Sequence, residues 1–102
     1  MVIQFSHEKP RNHLLTHGRV YTFREKKRIR TGKDWASSGR GKPKIADVNI
    51  RFVHRIHDRN LGALKRYEKD SGFKYADEWI TAIMNITKSK TIDGYLYLVE
   101  VV

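Results

Sequence analysis

The spacing of hydrophobic positions changes several times along this chain, and each change marks an element. VIQF (Val2–Phe5) is short and apolar and reads as a first strand. PRNHLLTHG (Pro10–Gly18) predicts a short helix: proline suits a first turn, Leu14 and Leu15 supply the apolar face, and glycine is a stop. Val20–Arg24 alternates, with Tyr21 and Phe23 on one face and Thr22 and Arg24 on the other. If that strand continues, Lys26, Arg28 and Arg30 join the second face. Thr31–Lys44 carries three glycines, two serines and a proline and reads as a long loop.

Ile45–Ile56 is the clearest strand. Ala46, Val48, Ile50, Phe52 and Ile56 are expected on its core face, with Asp47, Asn49, Arg51 and Arg55 on the wet one. Asn60–Gly72 reads as a helix with Asn60 as N-cap and Leu61, Leu64 and Tyr67 along one side. A second helix is expected over Lys74–Lys88, with an apolar stripe of Ala76, Trp79, Ile80, Ile83 and Met84. Gly94–Val102 is apolar at alternate and intervening positions alike, as a central or covered strand is. Strands interrupted by helices predict an α+β class, a small mixed β-barrel with flanking helices.

With 102 residues, one domain over 1–102 is expected. The chain has no cysteine, which excludes disulfides and thiolate metal sites and fits a cytoplasmic setting. No apolar run is long enough to span a membrane, and no secretion signal is visible at the N-terminus. Charge changes the picture most. The net is +10, and residues 1–44 hold 12 Lys and Arg against three acids, whereas residues 45–102 hold nine against eight. A field this lopsided attracts polyanions.

Several short pieces resemble the ASCH domain family, a group of PUA-like small barrels. LLTHGRVYTFR matches the family's Thr-x-Arg signature through Thr22 and Arg24. Arg19 stands where the family usually has Lys, and His17 where it has a Gly. DSGFKYADEW resembles the later turn-and-helix motif through Gly72, Phe73, Asp77, Glu78 and Trp79, and KIADVNI resembles the strand between. The resemblance implies RNA binding in a cleft between the signature strand and the helix pair. Some small bacterial members are amidohydrolases acting on N4-acetylcytidine with a Lys, a Thr and a Glu. The corresponding positions here are Arg19, Thr22 and Ser71.

A guanidinium does not give up its proton, so Arg19 is no base for Thr22, and a serine is no carboxylate. If the chain is an enzyme on a modified nucleoside, Thr22 and Arg19 carry the chemistry. For binding, the same residues read better. Thr22, Arg24, Lys26, Arg28 and Arg30 on one strand face would form a row of donors at steps of roughly 6–7 Å. His17, Arg19, Thr22 and Arg24 are expected to line the cleft, with Lys26, Lys27, Arg28, Arg30 and Lys33 following the phosphates and Trp35 stacking on a base. The pairs His13/His17 and His54/His57 lack a third ligand, so no metal site is expected. No nucleotide-cofactor fingerprint is present, and no cofactor is expected. RNA is the expected partner. The competing reading is a solvated basic face, or a protein-interaction module, with no nucleic acid at all.

Overall fold

The computed structural model describes residues 2–88 and 91–102. Its elements are β1 (Val2–Gln4), α1 (Glu8–His17), β2 (Arg19–Arg24), β3 (Gly32–Ser37), β4 (Lys44–His57), a 3-10 segment (Asp58–Asp70), α2 (Ala76–Thr87) and β5 (Asp93–Val101). The five strands form one mixed, curled half-barrel in the order β1-β3-β4-β5-β2. β1 and β3 run parallel and every other neighbour pair is antiparallel.

Apolar residues cover both sides of this sheet. Ile3, Phe5, Leu14, Val20, Ala36, Val48, Ile50, Tyr97 and Val99 form one cluster on the concave side, closed by α1. Ile56, Leu64, Phe73, Trp79, Ile83, Ile92 and Leu96 form a second on the outer side, beneath the 3-10 segment and α2. β5 sits between β4 and β2 and contributes to both clusters, which accounts for its unbroken apolar run. Tyr21 and Phe23 pack on the second cluster, as their alternation predicts.

Several expectations need correction. Gly32–Ser37 is strand β3 and not loop. It is flanked by β1 and β4, so pairing on both edges overrides its weak strand propensity. β2 ends at Arg24 and does not run on to Arg30. Leu15 is half exposed, and Leu14 alone anchors α1.

The fourth correction concerns β4. The ladder shifts between Phe52 and His54, which pair with the consecutive residues Tyr97 and Leu96, so Val53 is the extra residue of a β-bulge. One extra residue reverses which face each later side chain occupies. Val48 and Ile50 therefore enter the concave cluster, but Ile56 enters the outer one, and Arg55 rather than Ile56 shares the concave face with Phe52.

The helical pieces follow their local chemistry. α1 starts at Glu8, with His7 as N-cap accepting from the Lys9 N–H at 3.2 Å. It stops at Gly18, whose φ of +77° lets its N–H reach the Leu14 carbonyl. Residues 58–70 wind in 3-10 turns interrupted by a kink at Asn60, whose φ of −127° is not helical; Leu61, Leu64 and Tyr67 recur every third residue after it, the 3-10 period, and all three meet the outer cluster. Asn60 is not the N-cap. That place belongs to His57, while Asn60 Oδ1 accepts from the His57 N–H at 2.7 Å, completing a capping box. Glu68 Oε2 accepts from the Ala76 N–H at 2.9 Å and so caps α2 from outside. Gly72 packs tightly against the first turn of α1. Its φ is +87°, and a Cβ there would lie 2.7 Å from the Lys9 carbonyl oxygen.

Candidate nucleic-acid interface

Thr22 and Arg24 share the concave face at the end of edge strand β2, where register pairs them with Tyr97 and Tyr95. Both line a hollow of about 210 Å3 whose other walls come from Gln4 of β1, Phe5 and Ser6 after it, His7 and Pro10 at the start of α1, Phe23 and the acid Glu25 beside Arg24, and Ile86 and Thr87 of α2. Thr22 is only 7% exposed, so it forms the floor, and Arg24 stands nearer the opening. The Arg24 guanidinium lies over the Phe5 ring at 5.0 Å, and its Nε donates to Thr22 Oγ1 at 3.3 Å. Among the described residues it has no carboxylate partner and its two terminal nitrogens have no hydrogen-bond partner. Burial, and secondarily the charge of Arg28, pull its pKa down from the ordinary guanidinium range to about 10.

The cations around Arg24 behave differently. Arg19 faces the outer side. Its Nε is 3.5 Å from Asp70 Oδ2, a charge contact without hydrogen-bond geometry, and its guanidinium donates to the Tyr21 hydroxyl at 3.3 Å. His17 stacks on His13 with ring centroids 4.1 Å apart, and His13 in turn meets Asp70 at 3.0 Å. Neither Arg19 nor His17 lines the hollow with Thr22: Arg19 is three positions before Thr22 in β2, so alternation places it on the other face, and His17 belongs to α1. Arg28 is tied down: its guanidinium pairs with Asp34 at 3.1 Å and its backbone N–H donates to the Tyr97 hydroxyl at 2.8 Å. It holds the β2–β3 connection across the sheet. Lys26, Lys27 and Arg30 lie exposed along that connection and do not form a straight row with Arg24. Lys33 and Trp35 lie on the outer face of β3, opposite in register to Asn49 and Asp47, so they do not border the hollow. Trp35 is 38% exposed.

The helix pair meets the hollow at Ile86 and Thr87, not along Gly72–Trp79 as the motif spacing predicts. Phe73 and Trp79 border a small apolar gap of about 50 Å3 behind Thr22 and Phe23, and Phe73 also lines a shallow groove of about 420 Å3 with His7, Lys9, Asp77 and Glu78. On the far side of Phe23 a wider groove of about 360 Å3 is lined by Glu25, Asp93 and Thr87, and its acids suit no polyanion. The hydrolytic constellation is not assembled. The Ser71 hydroxyl is buried in its own turn, donating to the Glu68 carbonyl at 2.7 Å and accepting from the Phe73 N–H at 3.1 Å. Glu68 caps α2 and Asp70 holds His13, so neither carboxylate reaches Thr22.

Phe5 and His7 are the hollow residues that sequence reasoning did not single out. No local signal marks them, since only the curl of the sheet brings the end of β1 against β2. His54 and His57 fall on opposite faces of β4, and among the described residues no group of three metal-ligand side chains occurs. No described helix is long and apolar enough to cross a membrane. No family model matches the chain, and no curated protein or solved structure proves similar to it.

Proposed function

We propose that this chain binds RNA, single-stranded or with an exposed nucleotide, through the hollow at Thr22 and Arg24, as a PUA-like domain of ASCH type acting in the cytoplasm. One observation carries the reading. The half-buried Arg24 guanidinium has no acid partner among the described residues, and it lines the hollow with its terminal nitrogens free. A partly desolvated cation without a counterion carries a cost, and a phosphate or an electron-rich base edge in the hollow offsets that cost through paired, charge-assisted hydrogen bonds. Apolar walls at Phe5, Pro10 and Ile86 suit the flat part of a nucleotide. The exposed Lys26, Lys27 and Arg30 on the adjoining connection supply long-range attraction for the rest of the strand.

The amidohydrolase alternative has less support. Among the described residues Thr22 Oγ1 has Arg24 as its hydrogen-bond partner, which donates and takes no proton. Fluorescence anisotropy with a labelled short RNA tests the binding reading. Arg24→Ala is expected to weaken binding about tenfold or more, while Arg51→Ala, on the outer face of β4, leaves it within about twofold. Equal effects of the two substitutions count against the hollow as the site. Turnover of N4-acetylcytidine that disappears in Thr22→Ala would favour the enzyme instead.

A further inference from the structure

The bulge at Val53 builds a second surface beside the hollow. On either side of it, the concave face carries Phe52 and Arg55, with Tyr95 of β5 between them and Arg24, where apolar core residues stood a few positions earlier. Phe52 is 46% exposed, although it lies on the face that otherwise forms the core. It is not an isolated surface ring. Its centroid is 6.3 Å from that of Tyr95 and 5.8 Å from that of Tyr97. Arg55 lies over the Tyr95 ring at 5.0 Å, held there by Asp93 at 2.6 Å. Tyr95 is the register partner of both Arg24 and Arg55, so the rings continue the floor of the half-barrel outward from the hollow. From Arg24 to Arg55 is two inter-strand spacings, about 10 Å. The Tyr97 hydroxyl anchors the connection that bears Lys26, Lys27 and Arg30.

We infer that Phe52 and Tyr95 form a stacking platform for unpaired bases of the RNA strand whose neighbouring nucleotide occupies the hollow; this rests on the RNA-binding reading. The partner follows from charge as well as from the rings. Arg24 and Arg55 flank Tyr95 in register, and Lys26, Lys27 and Arg30 lie exposed on the connection that the Tyr97 hydroxyl anchors, against Glu25 and the Asp93 that pairs with Arg55. A half-exposed ring and its half-buried neighbour beside such cations match a chain of bases joined by phosphates. A second copy of this chain fits poorly, because two molecules at +10 repel.

The test compares a labelled RNA octamer with an abasic octamer of equal phosphate count, using Phe52→Ala and Phe52→Leu. Phe52 is half exposed, so both variants are expected to fold with nearly unchanged thermal midpoints. Each is expected to weaken RNA binding about tenfold, with the salt dependence unchanged and the abasic strand unaffected. RNA binding equal to that of the unsubstituted chain overturns the platform but leaves the hollow, which Arg24→Ala reports separately. Equal losses on both strands overturn stacking. A dimer in sedimentation that dissociates in Phe52→Ala overturns the inference in favour of self-association. Failure of the unsubstituted chain to bind any strand overturns both the platform and the RNA reading.

Discussion

Arg24 is placed where a charge costs stability. It sits over Phe5, its Nε is spent on a hydroxyl, and no acid faces it among the described residues. A guanidinium keeps its proton throughout the pH range in which proteins stay folded, so the downward pressure on its pKa is felt as an energetic cost and not as a titration. Replacing a buried, uncompensated charge by an apolar side chain of similar length is often stabilising. Arg24→Met is therefore expected to raise the unfolding free energy by about 1–2 kcal/mol while weakening RNA binding. Urea denaturation measures the first and anisotropy the second. A destabilised Arg24→Met would mean that the guanidinium serves the fold. The Thr-x-Arg spacing was legible in the sequence because alternation along a strand needs no tertiary information. The roles of Arg19 and Arg28 were not. Asp70 and Asp34 capture them, and neither acid announces its partner along the chain.

At the scale of elements, β4 decides the architecture. Before Val53 its alternate residues fill the concave cluster, and after Val53 they fill the outer one. A single inserted residue thus lets one strand serve two cores. Deleting Val53 would remove the bulge and leave the ladder regular, with Arg55 still opposite Tyr95 on the concave face and Ile56 still opposite Gly94 on the outer one. The deletion variant is therefore expected to unfold cooperatively, destabilised by loss of the local bend, whereas Val53→Ala, which keeps the count, costs about 1 kcal/mol. Circular dichroism melts of the two variants check this, and loss of cooperative unfolding in the deletion variant would show that the bulge sets more than a local bend. The sequence displays this switch faintly, as Ile56 continuing an even-numbered apolar series across a residue that breaks it. A helical segment near residues 60–72 was more visible, but its 3-10 winding and its N-cap at His57 were not, although Leu61, Leu64 and Tyr67 repeat at three rather than at three and four. β3 was hidden, since glycine and charge along Gly32–Ser37 give no strand pattern and only neighbours on both edges supply its order.

The whole molecule is a basic half-barrel whose excess charge lies in the first 44 residues. Fold and field converge at one end of the sheet. The connection after β2 brings Lys26, Lys27 and Arg30 past Tyr97, next to the hollow and the exposed rings. Contact with about four phosphates is expected to give a slope near −3 when the logarithm of affinity for single-stranded RNA is plotted against that of salt concentration. Anisotropy titrations between low and physiological salt measure it. Affinity indifferent to salt would show that the positive field takes no part.

By itself, the sequence determined the class of fold, most element positions, the two-sided burial of β5 and the direction of the electric field. These depend on local periodicity and on summed charge, which one chain states openly. Only the tertiary structure decided which cations stay unpaired, that Phe5 and His7 wall the hollow, and that Lys33 and Trp35 stand on the opposite face from Thr22. The reason is physical. Ion pairing and pocket formation depend on residues far apart in the chain, and the curl of the sheet and the one-residue bulge set those separations.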